Sequence, residues 1–203
     1  MSVTVAKSAG FCFGVNRAVE LVEQAAEQGK QVVTLGPIIH NRHAVARFES
    51  MGVKVIESPE DAVSGQTVVI RSHGVTQQVY EALEQRGVEI VDATCPFVKR
   101  IHGIVRNAWE EGRLPIIIGT RAHPEVEGIA GWCGDCRIFE SIAELREWAK
   151  TIADSKDLPI CMVCQTTSTE SLWKSCAEFA KKEFTNVKIF DTICKATESR
   201  QSE

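Results

Sequence analysis

Apolar residues along the chain follow two alternating patterns. Short continuous runs, such as VVTL (32–35) and ICMVC (160–164), have the length and composition of buried strands. Longer segments between them, such as VNRAVELVEQAAEQG (15–29), carry apolar residues at every third or fourth position, which predicts amphipathic helices. Strands that alternate with helices form parallel βαβ units, so the predicted fold class is α/β with parallel sheet flanked by helices.

The predicted elements occur in the same order twice, once after Cys12 and again after Cys95. Strands are predicted at 32–35, 53–56, 68–70, 88–91, 115–118, 137–139, 160–164 and 187–190. Helices are predicted near 15–28, 42–51, 76–86, 97–111, 124–132, 142–150 and 170–183. We interpret this order as an internal duplication of an α/β lobe. The predicted segments are a first lobe at 1–94, a second lobe at 95–193, and the start of a truncated third lobe at 194–203.

Composition narrows the possible functions. The net charge of −4 gives no electrostatic support for nucleic-acid binding, and no apolar run approaches the ~20 residues of a membrane span. The N-terminus lacks the pattern of a secretory signal, so we expect a cytoplasmic protein. Eight cysteines in a reducing compartment favour metal or redox chemistry over structural disulfides.

Polar side chains that could bind a ligand or transfer protons follow the predicted strands. His40, His73 and His123 lie in equivalent turns after strands, and Gln165-Thr166-Thr167 occupies the fourth such turn. Ligands bind beyond the carboxyl ends of strands in open parallel sheets, where histidines can hold an anion or relay protons. Glu125 lies near the start of the next helix and could donate a proton. The alternative is that these residues only form turns and helix caps.

Three cysteines also occupy equivalent positions, because Cys12, Cys95 and Cys194 each lie at a lobe boundary. If the lobes pack around a pseudo-threefold axis, their thiolates converge. Three thiolates with one ligand missing suit an iron–sulfur cluster that has an open iron. Three buried structural cysteines are the alternative.

Four further cysteines form two CxxC pairs, CGDC (133–136) and CMVC (161–164). Such pairs can bind zinc when they lie in loops. CMVC lies in a predicted strand, where residues three apart face opposite sides, and this favours free or buried thiols. His43 and His102 are predicted to lie on helix surfaces.

Several motifs together resemble one known family. GFCFGVNRAVE, GPIIHN, IRSHGV, DATCPFV, GTRAHPEVEGI, CQTT and DTIC resemble the 4-hydroxy-3-methylbut-2-enyl diphosphate reductases, known as IspH or LytB. The resemblance extends over essentially the whole chain. It implies a cloverleaf of three α/β lobes around a [4Fe-4S] cluster, of which this chain holds two lobes. It also implies the last step of the non-mevalonate isoprenoid pathway, with ferredoxin or flavodoxin as electron donor.

The resemblance also implies a role for each candidate residue. Reductive loss of the allylic hydroxyl would give isopentenyl and dimethylallyl diphosphate. The implied cluster ligands are Cys12, Cys95 and Cys194. The implied diphosphate-binding residues are His40, His73 and His123. Glu125 would be the proton source, helped by Thr166 and His123. Thr166 would lie beside the substrate hydroxyl, and Gln165 would be its neighbour.

Two questions stay open at the level of sequence. Family members clamp the diphosphate with further residues of a third lobe, so the activity of two lobes alone is undecided. ESRQ at 198–201 also replaces the TNRQ that is usual in the family. The alternative function is a non-catalytic zinc- or redox-sensing protein that uses its CxxC pairs.

Overall fold

A computed structural model describes residues 3–39, 41–152 and 156–201 of the chain. The strands are β1 (Val32–Leu35), β2 (Lys54–Ile56), β3 (Thr67–Ile70), β4 (Glu89–Asp92), β5 (Leu114–Ile118), β6 (Arg137–Phe139), β7 (Ile160–Cys164) and β8 (Val187–Ile189). The helices are α1 (Phe13–Glu27), α2 (Arg42–Ser50), α3 (Gln77–Gln85), α4 (Pro96–Glu110), α5 (Pro124–Ala130), α6 (Ile142–Thr151), α7 (Glu170–Glu183) and α8 (Lys195–Gln201). A short 3-10 helix, Pro59–Asp61, precedes β3.

The strands form two parallel four-stranded sheets with the same topology. The first sheet has the order β2-β1-β3-β4 and the second has the order β6-β5-β7-β8. All strand pairs in both sheets are parallel. The predicted α/β class and the repeated order of elements are therefore confirmed.

The contacts divide the chain into two compact units. The unit that we call the first comprises Phe11–Lys99, and the second comprises Met1–Gly10 with Arg100–Glu203. The division falls inside α4, a few residues after Cys95. The lobe boundaries predicted from the sequence, 1–94, 95–193 and 194–203, stay a prediction about how the protein is organised.

Each sheet is buried on both faces, as is typical of parallel sheets with helical crossovers. In the first unit, α1 and α2 cover one face and α3 covers the other. In the second unit, α4 and α5 cover one face while α6 and α7 cover the other. The central strands β1, β3 and β7 are buried along their whole length, which explains why they read as continuous apolar runs.

The helix predicted at 124–132 ends earlier than expected. The segment 124–132 is helical only as far as Ala130, because the chain turns at Gly131 and the amide of Trp132 donates to the carbonyl of Ile129. The CGDC motif therefore lies in a turn between α5 and β6. None of the helices that the structure describes is long and apolar enough to cross a membrane.

Candidate functional site

A buried carboxyl and a threonine form the central contact of the candidate site in the second unit. Glu125, in the first turn of α5, is 3% exposed. Its Oε1 accepts the backbone N–H of Thr166 at 2.6 Å, and its Oε2 accepts the hydroxyl of Thr166 at 2.8 Å. Both residues follow strand ends of one sheet, so the sequence-predicted Glu125 and Thr166 are brought into direct contact.

Burial controls the protonation of this carboxyl. It raises the pKa of Glu125 above its ordinary value, because the charged form loses solvation, while the two bonds from Thr166 act in the opposite direction. A carboxyl with a raised pKa retains its proton closer to neutral pH, which suits a general acid.

His123 caps the helix that carries this carboxyl. Its Nδ1 accepts the backbone N–H of Glu125 at 3.1 Å, in the position of an N-cap. When the ring is neutral, its N–H lies on Nε2. His123 thus caps the helix that carries Glu125 through one ring nitrogen and holds its N–H donor on the other.

Gln165 joins the loops that follow β5 and β7. Its Oε1 accepts the N–H of Thr120 at 3.0 Å, and its Nε2 donates to the hydroxyl of Thr167 at 2.8 Å. Gly119 makes room for it, since a Cβ there would lie 2.8 Å from the Cβ of Gln165. These contacts position the loop of Thr166, and the predicted binding of substrate by Gln165 stays a prediction.

Cys194 is connected to the same loop. Its backbone N–H donates to the carbonyl of Thr166 at 2.9 Å, and its own carbonyl accepts the N–H of Thr197 in α8. Thr166 therefore bonds to Glu125 through its N–H and hydroxyl and to Cys194 through its carbonyl. The candidate proton donor and the candidate metal ligand are each one hydrogen bond from the same residue.

Cys95 is held in the same way in the first unit. Its backbone N–H donates to the carbonyl of Ser72 at 2.9 Å. Arg17 on α1 donates to the carbonyls of Asp92 and Thr94, both at 3.2 Å, and so fixes the segment before this cysteine. Arg17 is a positioning residue that the sequence did not single out.

Cys12 and Cys95 belong to neighbouring parts of the first unit. Cys12 is the N-cap of α1, and its thiol makes no capping hydrogen bond. Gly14 lies in the first turn of that helix, and a Cβ there would lie 2.5 Å from the Sγ of Cys95. Gly14, two residues after Cys12, therefore leaves the space that the Cys95 thiol occupies.

The chemistry of these cysteines fits an iron–sulfur cluster. All three are partly exposed and free of disulfides, and Cys12 and Cys95 each precede a 15-residue helix whose N-terminus favours a thiolate. Cys194 belongs to the second unit, and Cys12 and Cys95 belong to the first. Within the described residues, no three His, Cys, Asp or Glu side chains form a group that could hold a metal ion.

The predicted histidines of the first unit lie in or near strand-end loops. His73 follows β3 in a turn that is closed by a bond from the N–H of Gly74 to the carbonyl of Arg71, with Gly74 at a φ of 76°. That φ favours glycine. His40 lies outside the described residues. The roles of His40 and His73 in binding stay predictions.

Four further cysteines and histidines can be compared with their predicted positions. Cys161 and Cys164 face opposite sides of the second sheet, as predicted from strand geometry. His43 is exposed as predicted. The prediction for His102 is wrong, because it is 5% exposed and stacks on Trp132 with ring centroids 5.2 Å apart.

Sequence comparison identifies relatives over nearly the whole chain. The sequence matches the model of the LytB protein family over residues 3–203. A 4-hydroxy-3-methylbut-2-enyl diphosphate reductase of Thermoanaerobacter sp. (strain X514) is 41% identical over 209 residues, which cover 99% of this chain and 69% of the relative. One of Clostridioides difficile (strain 630) is 37% identical, covering 99% of this chain and 71% of the relative.

Solved structures give the same result. A structure of (E)-4-hydroxy-3-methyl-but-2-enyl diphosphate reductase, described as the terminal enzyme of the non-mevalonate pathway, matches with a TM-score of 0.84 and 37% identity over 98% of this chain and 70% of that chain. The E-1-hydroxy-2-methyl-but-2-enyl-4-diphosphate reductase from Plasmodium falciparum matches with a TM-score of 0.86 and 27% identity over 95% of this chain and 61% of that chain. Since sequence and fold agree, the chain belongs to the LytB family.

Proposed function

We propose that this protein is a 4-hydroxy-3-methylbut-2-enyl diphosphate reductase, which removes the allylic hydroxyl of its substrate with two electrons and two protons. The products are isopentenyl or dimethylallyl diphosphate, together with water. One observation carries the proposal: Thr166 joins the buried carboxyl of Glu125 to the backbone of Cys194. This arrangement supports the proposal, because it would bring the proposed acid close to a proposed metal ligand, as a reductive loss of water requires.

Cys12, Cys95 and Cys194 would hold a [4Fe-4S] cluster, which leaves one iron without a protein ligand. When bound, such a cluster supplies electrons and a Lewis-acidic iron for the hydroxyl oxygen. Hydrogen bonds from the backbone N–H groups of Cys95 and Cys194 to the carbonyls of Ser72 and Thr166 fix these two cysteines beside strand-end loops of their units. The part of the protein in the site is then to orient the substrate and to deliver protons.

Glu125 would deliver the proton that converts the departing hydroxyl into water. Hydroxide is a poor leaving group, so protonation of the oxygen lowers the barrier to C–O cleavage. Burial raises the pKa of the Glu125 carboxyl and so favours its protonated form. The protonated carboxyl would donate to the Thr166 hydroxyl, 2.8 Å from Oε2, and that hydroxyl would pass its own proton to the substrate oxygen.

The histidines would bind the diphosphate. His123 would donate from Nε2, since its Nδ1 already accepts a backbone N–H. His73 lies beyond β3 in the first unit, and His40 would act with it. Imidazole N–H donors are suited to an anionic ligand on a protein whose net charge is −4.

The electrons would come from a small redox protein of the ferredoxin or flavodoxin class, and the protein would act in the cytoplasm. A sensor that uses the CxxC pairs to hold zinc is the weaker alternative. Cys161 and Cys164 face opposite sides of their sheet, so the sulfurs of that pair are separated by the strand itself.

Turnover by the full chain tests the proposal. The protein is reconstituted anaerobically with iron and sulfide and is then given a viologen reductant and the hydroxylated allylic diphosphate. Formation of isopentenyl and dimethylallyl diphosphate, followed by mass spectrometry, is the expected result. Substrate that stays unchanged in the presence of a fully loaded cluster would overturn the proposed activity.

A further inference from the structure

The two half-buried thiols of the CGDC turn lie close together. Cys133 and Cys136 are both partly exposed, both pack against the same hydrophobic cluster, and their side chains interact with each other. The Sγ of Cys133 also lies 3.4 Å from the carbonyl oxygen of Ala130, at the end of α5. Two facing thiols separated by two residues are the arrangement from which a CxxC disulfide forms.

The backbone of this turn is held in place by a neighbouring aromatic ring. A Cβ at Gly134 would lie 2.6 Å from the indole of Trp109, so only glycine lets the turn pack against α4 this closely. The two thiols also pack in the hydrophobic cluster on this face of the second sheet. The packing of Gly134 against Trp109 therefore fixes the backbone between the two cysteines.

The two cysteines are not equivalent. The pKa of Cys136 is lowered chiefly by its interaction with the Cys133 side chain and less by the Arg137 guanidinium, while burial acts in the opposite direction. The same contact raises the pKa of Cys133. The Asp135 carboxylate opposes thiolate formation at both sites, but it is paired with Arg137 at 2.8 Å. Cys136 is accordingly the first nucleophile of the pair, since the thiolate is the attacking species.

We propose that Cys133 and Cys136 form a dithiol site that undergoes thiol–disulfide exchange with small-molecule disulfides. The thiolate of Cys136 attacks one sulfur of the small disulfide, forms a mixed disulfide and releases one thiol. The thiol of Cys133 loses its proton and attacks the sulfur of Cys136, which closes the protein disulfide and releases the second thiol. Two protein thiols are oxidised and one small disulfide is reduced to two thiols.

The other cysteines outside the proposed cluster site provide an internal contrast. Cys161, Cys164 and Cys176 are all fully buried, at 0% exposure. Burial raises the pKa of each of them to about 11, so they remain protonated and inaccessible. Reaction with a small disulfide should therefore select the CGDC turn among these five thiols.

Peptide mapping of the full chain tests this inference. The cluster-loaded protein is equilibrated anaerobically with glutathione disulfide, remaining thiols are alkylated, and tryptic peptides are weighed. Residues 122–137 form one tryptic peptide that contains both cysteines and no others. This peptide should lose two hydrogen atoms and escape alkylation, and it should recover both on treatment with dithiothreitol. Iron content before and after treatment shows that the cluster is not the source of the change.

Two variants test the order of the steps. Cys133→Ser should accumulate a glutathione adduct on Cys136, because no second thiol can displace it. Cys136→Ser should form much less adduct on Cys133 in the same time. A peptide 122–137 that stays fully reduced in the native protein while glutathione disulfide modifies other cysteines would overturn the proposal. Equal adduct formation in both variants would overturn the assigned order.

Discussion

The two α/β units share a backbone design and differ in their side-chain chemistry. In both, the residue two positions beyond the third strand of the repeat, Ser72 or Thr166, accepts the N–H of a cysteine at 2.9 Å. In both, an aspartate side chain accepts the backbone N–H of the residue two positions later: Asp92 accepts from Thr94, and Asp191 accepts from Ile193. Among the residues that the structure describes, a buried carboxyl bonds to this loop in the second unit and not in the first.

The comparison shows which part of the site the fold supplies. A backbone carbonyl can hold the cysteine whatever side chain the residue carries, so Ser72 and Thr166 can differ without moving it. The hydroxyl and N–H of Thr166 are then available to bind Glu125. In the proposed function, both units therefore hold a proposed metal ligand by the same backbone bond, and the proposed acid lies in the second unit.

Removal of a proposed cluster ligand should have the largest effect. Cys95→Ala or Cys194→Ala should reduce bound iron and sulfide to background after anaerobic reconstitution, because each removes one of three thiolates. If the units are equivalent as metal-ligand carriers, both variants should fail to the same extent. Cys176→Ala, in the core of the second unit, is the matched control and should retain iron. Unequal losses from the two ligand variants would break the proposed equivalence.

Loss of the buried acid should have the next largest effect. Glu125→Gln keeps the shape of the side chain and removes its proton, so turnover should fall by about 10²- to 10⁴-fold, the range for general acid–base catalysis. Iron content and binding of the substrate should change little. Glu127→Gln changes an exposed glutamate of the same helix and serves as control. Comparable turnover in the two variants would remove Glu125 from the mechanism.

The same substitution should change the pH dependence of stability. The folded-state pKa of Glu125 lies above its ordinary value of 4.5, so its folded form binds a proton more tightly than its unfolded form. Its contribution to stability is therefore fully present at low pH and decreases as pH rises through the raised pKa. In denaturant unfolding, the free energy of unfolding of Glu125→Gln should fall less than that of wild type as the pH rises from the ordinary pKa of Glu125 to the raised one. An unchanged slope would contradict the raised pKa.

The hydroxyl of Thr166 should stabilise the second unit where Ser72 has no equivalent role. Thr166→Val removes the hydroxyl that bonds to the buried carboxyl of Glu125 and should cost about 1–3 kcal/mol. Thr166→Ser keeps the donor and should recover most of that loss. Ser72→Ala removes a bond to the carbonyl of Ile38 at 3.3 Å and should cost less. The free energy of unfolding in urea measures all three, and a larger loss for Ser72→Ala would reverse the comparison.

Arg17 should give a smaller effect, confined to the first unit. Arg17→Ala removes two bonds to the carbonyls before Cys95 and should cost roughly 1–2 kcal/mol of unfolding free energy. Arg47→Ala disrupts an ion pair with Glu23 whose arginine is 65% exposed, and should cost less than about 1 kcal/mol. Calorimetry or urea unfolding distinguishes the two, and equal losses would show that Arg17 is not a specific clasp.

Local pattern was sufficient for most of the fold. The strands Val32–Leu35, Arg137–Phe139 and Ile160–Cys164 and the helix Glu170–Glu183 have the bounds that apolar runs and periodicity predicted. These elements are buried on faces that their own sequences define. The end of α5 was missed because Gly131, rather than the apolar pattern, stops the helix.

Contacts between distant residues were not accessible from the sequence. Glu125 and Thr166 were selected as candidates by their strand-end positions and family resemblance, but their bidentate contact joins residues 41 positions apart. Arg17 gave no signal, because its acceptors are backbone carbonyls that carry no side-chain identity. His102 was assigned to the surface because its stacking partner, Trp132, comes from a separate turn.

Anaerobic reconstitution with iron and sulfide is the most direct test of whether this chain holds a [4Fe-4S] cluster that binds the substrate. The wild-type chain is loaded, its iron and sulfide are counted, and its spectrum is recorded with and without the hydroxylated allylic diphosphate. We predict about four irons and four sulfides per chain, as a [4Fe-4S] cluster requires, and a spectrum that changes when substrate is added. A chain that binds zinc alone, or a cluster whose spectrum ignores the substrate, would contradict it.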